Sequence, residues 1–196
     1  MSSGNLAKVE AKNAAEVGQG LPLSETAQKL LRPDLTPGQY LAVLMEQRLY
    51  PDAIRFLASA LPKREAVWWA CGCIRAMPDP LDAPAAIALQ AAEKWAADPS
   101  DENRRAAMPA AEAVGLAHPA GCIAAACFWS GGSLAPPDLP PVAPAAHLTA
   151  HVVTASLLLA AVRAEPVQAP EKQRQFLKLG LDVASGVNRW KEPAPK

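Results

Sequence analysis

The sequence predicts an all-α protein, and three observations carry that prediction. About half of the 196 residues are apolar, and alanine, a strong helix former, is the most frequent of them. Apolar residues recur three and four positions apart through most segments, which is the period of a helix. Prolines and capping side chains separate these segments. We therefore expect a single-domain multi-helix bundle or a tetratricopeptide-like stack, without a sheet.

Composition divides the chain into three parts. Residues 1–20 are small and polar, contain three glycines and would bury little apolar surface, so we expect a mobile N-terminal arm there. Residues 21–190 form the predicted single helical domain, and residues 191–196 a frayed tail. The arm has no apolar run of the kind that signal peptides carry.

Helix boundaries in the first third of the chain are marked by hydroxyl side chains and prolines. Ser24 predicts a cap for a helix that runs from Ser24 to Leu31. Thr36, followed by Pro37, predicts the start of the next helix. We expect the residues Tyr50-Pro51-Asp52 to turn the chain before a third helix.

The rest of the chain predicts further helices. Pro109 should kink or break the helix that contains it. Arg104 and Arg105 are expected on the exposed surface of that helix, since a twin-arginine export signal would be N-terminal. The longest apolar helix is predicted from Ala145 to Ala164, and the last from Pro170 to about Gly186.

Charge and hydropathy exclude several classes of function. Lysine plus arginine and aspartate plus glutamate balance at 19 each, so no general field attracts nucleic acid or an anionic membrane. The longest apolar run, Leu148 to Val162, is interrupted by His151 and is shorter than the roughly 20 residues of a spanning helix. Four cysteines do not form a recognisable disulfide framework. We expect a soluble cytoplasmic protein with neither a nucleic-acid partner nor a membrane span.

The histidines and two of the cysteines are the candidates for a metal site. His147 and His151 have the four-residue spacing of a zinc helix, but no acidic residue lies between them. Cys71 and Cys73 lie on diverging sides of a helix and do not match a zinc knuckle or a redox pair. We expect no metal and no cofactor, and we interpret the histidines as caps for the long helix.

Catalytic chemistry has one weak candidate. Cys122 could act as a nucleophile with His118 as its base, although His118 stands next to Pro119 in a predicted turn. The favoured interpretation is that the cysteines, Cys127 included, are buried structural residues. Gly131-Gly132-Ser133 has neither the lysine of a phosphate loop nor the pattern of a serine elbow. We expect a non-enzymatic protein, with a small Cys/His hydrolase that also uses His147 as the alternative.

Trp68 and Trp69 are the most informative local feature. Adjacent residues on a helix point roughly 100° apart, so both indoles cannot enter the same core. Either two flanking helices bury both of them, or one is an anchor for a partner protein.

Residues 130–144 hold five prolines and a glycine pair and cannot form a helix. The favoured interpretation is an ordered strap that tucks Leu134, Leu139 and Val142 inward. The alternative is a ligand that a groove on another protein recognises. Its binding motifs would be Pro137-x-x-Pro140 and Pro141-x-x-Pro144.

Two stretches resemble an uncharacterised family of bacterial all-helical proteins: LPKREAVWWAC at residues 61–71 and FWSGGSLAPPDLPPV at residues 128–142. The resemblance runs from about Leu23 to Gly186. Members of that family often accompany type VI secretion genes, which implies a type VI secretion component or effector as the partner. The family offers no catalytic residues.

An enzyme usually has a cluster of polar residues outside its helix caps and turns, and this sequence shows no such cluster. We therefore expect a protein-binding adaptor, chaperone or accessory protein. A structural homo-oligomer joined through Ala-rich helices is the remaining alternative.

Overall fold

The computed structural model describes residues 6–136 and 138–187, and every regular element in these ranges is helical. The all-α prediction is confirmed. The elements are α1 (Ala14–Gly18), α2 (Glu25–Leu30), α3 (Pro37–Glu46), α4 (Tyr50–Ala60), α5 (Lys63–Arg75), α6 (Ala83–Ala97), α7 (Asp101–Val114), α8 (Pro119–Phe128), α9 (Leu148–Val162), a 3-10 turn (Pro166–Gln168) and α10 (Ala169–Ala184).

Two helices form the centre of the molecule. Every residue of α8 from Pro119 to Cys127 is buried, because α5, α6, α7 and α9 surround this helix. The other central helix, α9, packs against α8 and also against α4, α5 and α10. An apolar helix without a polar face is stable only when it is enclosed in this way.

The longest apolar run of the sequence forms α9, which has 15 residues. No helix within the described ranges is both long enough and apolar enough to cross a membrane.

The predicted caps of α2 and α3 are confirmed. The Ser24 hydroxyl accepts a hydrogen bond from the Ala27 N–H and donates one to the Asp52 carboxylate at 2.8 Å. Thr36 and Gln39 form a reciprocal capping box, in which each side chain accepts from the other residue's main-chain N–H. Each arrangement satisfies donors that the first turn of a helix leaves unpaired.

The expected turn at Pro51 is wrong, and so is the expected break of the helix at Pro109. Pro51 lies in the first turn of α4, and the chain turns before it at Arg48, whose φ is 56°. Pro109 lies inside α7, which continues to Val114 without a break. Ala107 and Ala111 are both buried on either side of this proline, so packing holds the helix together across the missing hydrogen bond.

The described part of the expected N-terminal arm, residues 6–20, packs against the helices. The Ala14 N–H donates to the Leu35 carbonyl, and the Lys8 N–H donates to the Ala184 carbonyl, each at 2.8 Å. Ala14 is fully buried. A few small side chains and two main-chain hydrogen bonds thus fix a segment whose position could not be predicted from its composition. Residues 1–5 and 188–196, including the predicted tail, lie outside the described residues.

Candidate functional site

The loop of residues 130–144 is closed at its neck by hydrogen bonds. The Leu134 N–H donates to the Val142 carbonyl at 2.8 Å. The Ser133 hydroxyl accepts from the main-chain N–H groups of Ala135 and Val142 at 3.1 and 3.0 Å. Because these bonds join the two ends of the segment, the residues between them form a closed projection.

A buried arginine of α7 holds the base of this loop. Arg104 is only 4% exposed, and its guanidinium donates to the Phe128 carbonyl at 2.7 Å and to the Ser133 carbonyl at 3.1 Å. Its Cζ also lies 5.0 Å from the centre of the Phe128 ring. Asp101, 2.7 Å away, balances the charge. The prediction of a surface position is wrong for Arg104, because the loop folds back and covers it.

The approach of the loop to this guanidinium also explains a glycine. Gly132 has a φ of 62°, and a Cβ there would lie 2.9 Å from the Arg104 Nε. A side chain at this position would therefore be strained in its backbone and would displace the arginine.

Two further cations bond the same loop from neighbouring helices. Arg105 of α7 donates to the Ala135 carbonyl at 3.2 Å. Lys63, at the start of α5, donates to the Ser130 carbonyl at 2.7 Å. All of these acceptors are main-chain carbonyls, so the loop is attached through its backbone.

The apolar side chains at the tip of the loop point away from the protein. Leu139 is 55% exposed and Val142 is 54% exposed, and Pro140 is also exposed. The prediction that the strap tucks its apolar residues inward is wrong for Leu139 and Val142, whereas Leu134 is half-buried. Hydrogen bonds from cationic side chains to its main chain hold the loop, so burial of its apolar side chains is not needed to fix it. Pro137 lies outside the described residues.

The two tryptophans of α5 have different surroundings. Trp69 is 1% exposed, and its Nε1–H donates to the Phe176 carbonyl of α10 at 2.7 Å. A Cβ at Gly180 would lie 2.6 Å from the Trp69 ring, so this glycine allows the close approach of the two helices. Trp68 is half-buried. Trp69 is therefore a core residue, while Trp68 reaches a groove beside it.

That groove lies between α5 and α10 and has a volume of about 340 Å³. Trp68 lines one side of it, and Leu179 and Val183 line the other. Gly72 also borders the groove, and a Cβ added there would meet no atom within 4 Å. We call this feature the Trp68 groove.

All four cysteines are buried. Desolvation by burial raises the pKa of each thiol, and it raises the pKa of Cys71 and of Cys73 well above the usual value. The Cys122 thiol donates to the Leu116 carbonyl at 3.0 Å. A thiolate nucleophile is disfavoured in such surroundings.

His118 caps α8. Its Nδ1 accepts from the Ala120 N–H at 3.1 Å, and desolvation, followed by the charge of Arg163, lowers the pKa of the imidazole. His118 also borders a cavity of about 20 Å³ near Asp79, whose Oδ2 is buried and has no hydrogen-bond partner among the described residues. That volume holds about one water molecule.

His147 and His151 are exposed, and their ring centres are 5.0 Å apart. His147 stands at the start of α9 without a side-chain cap bond, so its predicted capping role is wrong. Within the described ranges, no three His, Cys, Asp or Glu side chains are grouped to hold a metal ion.

Comparison with known families extends this picture. The sequence model of a family of unknown function, DUF6931, matches residues 40–184. The chain belongs to DUF6931. The DUF6931 match begins in α3 and ends with the last residue of α10, so it includes both the loop and most of the Trp68 groove. No curated protein and no solved structure matches the chain.

Sequence reasoning identified the loop and Trp68 but missed the groups that give them their geometry. It did not find the role of Arg104, or the contribution of Leu179 and Val183 of α10 to the groove. These residues are about 30 and 110 positions away from the features that they complete. No local pattern signals such pairings.

Proposed function

We propose that this protein is a non-enzymatic protein-binding accessory protein, an adaptor or chaperone, that presents the tip of its loop to another protein. The tip is defined here as residues 138–144. The observation that carries the proposal is the outward position of Leu139 and Val142 on a loop whose base is fixed by Arg104.

Two physical arguments support a ligand role for the tip. Apolar side chains that project from an ordered loop gain free energy when a partner buries them. The loop is already closed by its neck bonds, and Pro140 and Pro141 restrict its backbone, so docking costs less conformational entropy.

The surroundings of the cysteines and histidines support a non-enzymatic role over the hydrolase alternative. A Cys/His hydrolase needs a thiol that a base can deprotonate beside a space that admits substrate. Burial instead raises the pKa of Cys122, and the Nδ1 of His118 is occupied as a helix cap. The cavity beside His118 is too small for a substrate.

We further propose that the partner is a type VI secretion component or effector and that the two proteins meet in the cytoplasm. The support for this step is the resemblance of residues 61–71 and 128–142 to a family whose members accompany type VI secretion genes.

The test compares two matched substitutions at exposed apolar residues. Leu139→Asp changes the tip, and Val167→Asp changes a residue that is 90% exposed in the 3-10 turn, away from the loop. Each variant and the wild type are immobilised, and proteins captured from a lysate of the native host are quantified by mass spectrometry. Melting temperatures are measured in parallel.

We expect all three proteins to melt alike. We also expect a type VI secretion protein to bind the wild type and Val167→Asp in similar amounts, and Leu139→Asp to retain less than a tenth of it. Equal capture by all three proteins would contradict a role for the tip. Capture of a partner outside the type VI apparatus that still depends on Leu139 would contradict only the identity of the partner.

A further inference from the structure

We propose that a cleft between α4 and α9 binds a small aliphatic carboxylate and that Arg55 recognises the carboxyl group. Arg55 and Ser59 of α4 line the cleft together with Leu158 of α9, and the segment before α2 contributes Leu21 and Pro22. We call this feature the Arg55 cleft. It shares no residue with the loop tip, so the inference goes beyond the proposed function and does not depend on it.

The Arg55 cleft has the size of a small-ligand site. Its volume is about 220 Å³, and the residues that line it belong to the described ranges. At roughly 30 Å³ for each water-sized group, this volume admits about seven such groups. Pentanoate, an unbranched acid with about seven non-hydrogen atoms, has this size.

Most of the lining is apolar. Leu21, Pro22 and Leu158 contribute aliphatic surface, and Ala150 and Ala155 of α9 add small side chains. Apolar walls with a few polar groups are typical of small-molecule sites, and burial of a short methylene chain against them favours binding. None of the described residues that line the cleft is acidic, so no negative charge on its walls opposes an anion.

The guanidinium of Arg55 is only partly engaged. Its Nη1 donates to the Asp52 carboxylate at 3.3 Å, which is its single side-chain bond within the described ranges. Arg75 and Arg174, by contrast, each donate from two nitrogens to a glutamate at 2.6–2.8 Å. The other N–H groups of Arg55 are therefore available to a ligand. A guanidinium binds a carboxylate through two parallel hydrogen bonds.

Asp52 does not depend on Arg55 to balance its charge. This buried carboxylate accepts from the Ser24 N–H at 2.9 Å and from the Ser24 hydroxyl at 2.8 Å, and both bonds are shorter than its contact with Arg55. Asp52 also lies in the first turn of α4, where the helix dipole favours a negative charge. Arg55 can thus bond a ligand without leaving a buried carboxylate unpaired.

The other polar side chains of the cleft have partners in their own helices. The hydroxyls of Ser59 and Thr154 each donate to a main-chain carbonyl, at 3.0 and 2.8 Å. His151 is exposed, and its Nδ1 lies 3.3 Å from the His147 carbonyl. Because these groups do not bond the guanidinium, Arg55 is the group that selects an anion.

The test is a titration of the full chain with pentanoate, followed by two-dimensional proton–nitrogen NMR spectra. A ligand this small should bind with a Kd of about 1 mM, so the titration extends to about 10 mM. Two analogues divide the ligand into its parts. Pentan-1-ol has the aliphatic chain without the charge, and acetate has the charge without the chain.

We expect pentanoate to shift the amide signals of α4 and α9 around Arg55 and Thr154 and to saturate these shifts. Pentan-1-ol and acetate should each bind at least about ten-fold more weakly, because each lacks one of the two contacts.

Two variants change the charge and the space of the cleft separately. Arg55→Gln removes the cation, and its control is Arg174→Gln, which also breaks a pair between an arginine and an acid three residues earlier on a helix. Ala155→Gln takes up space in the cleft from an exposed position of α9 and leaves Arg55 intact. Its control is Ala113→Gln, at an exposed position of α7.

Arg55→Gln and Ala155→Gln should each raise the Kd for pentanoate at least about ten-fold, whereas both controls should bind as the wild type does. Wild-type affinity in Arg55→Gln or in Ala155→Gln would overturn the inference, as would a wild type whose signals do not respond or respond only outside the cleft. Equal affinities for pentanoate and pentan-1-ol would contradict recognition of the carboxylate. Equal affinities for pentanoate and acetate would contradict a site for an aliphatic chain.

Discussion

Replacing Arg104 by alanine should destabilise the protein far more than the same change at its neighbour Arg105. Both residues bond the loop and Asp101 from the same turn of α7. They differ in burial, since the side chain of Arg104 is 5% exposed and that of Arg105 is 29% exposed. Water can replace the lost bonds at the exposed site but not at the buried one.

The magnitude follows from the groups that Arg104→Ala leaves unpaired. The Phe128 and Ser133 carbonyls are part-buried, and each loses a charged donor, at about 1 kcal/mol for each acceptor. The contact of the guanidinium with the Phe128 ring adds about 0.5–1 kcal/mol. The total loss is about 3 kcal/mol, whereas Arg105→Ala should cost under about 1 kcal/mol.

Urea unfolding followed by circular dichroism measures this difference. With a slope of about 2 kcal/mol per molar urea, Arg104→Ala should lower the midpoint by about 1.5 M. Arg104→Lys keeps the charge but cannot donate to two carbonyls in a fixed fork, so its midpoint should lie between those of alanine and the wild type. Equal midpoints for Arg104→Ala and Arg105→Ala would refute the anchoring role.

Three further outcomes are expected. In the same urea assay, Gly180→Ala should lower the free energy of unfolding by about 1–2 kcal/mol, because the added Cβ would lie 2.6 Å from Trp69. Gly72→Ala should raise the free energy of unfolding by about 0.5–1 kcal/mol, because a Cβ there has no atom within 4 Å. The pKa of His118 is lowered from 6.5 in the folded protein, so the unfolded state binds the proton first as the pH falls, and the melting temperature should decrease from pH 7.5 to 5.5. His118→Asn keeps a capping acceptor, so its melting temperature should decrease less over the same range. An equal decrease for both proteins would contradict this account. The four buried thiols should react with 5,5′-dithiobis(2-nitrobenzoic acid) only in urea, as read from absorbance, and fast native labelling of any of them would be inconsistent with their burial.

Local patterns were sufficient for most helix starts. Ser24 and Thr36 cap helices because a hydroxyl close in sequence can reach the first free N–H groups. Pro51 was misplaced for a related reason, since proline fits both a turn and the first turn of a helix. Neighbouring residues alone do not decide between these two positions.

Tertiary packing decided the cases that the sequence could not. Pro109 remains within α7 because Ala107 and Ala111 are packed on both sides of it. Contacts with Phe176 and Gly180, more than 100 residues further along the chain, make Trp69 rather than Trp68 the core residue. Helical spacing showed that the two indoles diverge, but the identity of the core-facing one depends on where α10 docks.

The loop shows most clearly how a correct observation led to a wrong orientation. Proline content correctly excluded a helix over residues 130–144, and apolar residues between the prolines suggested an inward-facing strap. That inference assumed that burial of Leu139 and Val142 was needed to hold the loop. The pair Arg104 and Arg105, interpreted as surface residues, supplies the attachment instead.

This form of attachment separates anchoring from recognition. Main-chain carbonyls are present whatever the side chains are, so a guanidinium that bonds the loop only through a carbonyl fixes the position of the loop without constraining its side chains. Leu139 and Val142 therefore contribute little to folding and can be presented to a partner. The entropy of ordering the loop is lost when the domain folds, and a partner that binds the tip meets a preorganised ligand. Removal of the Arg104 guanidinium should thus reduce partner binding as well as stability, although Arg104 itself is buried and cannot contact the partner.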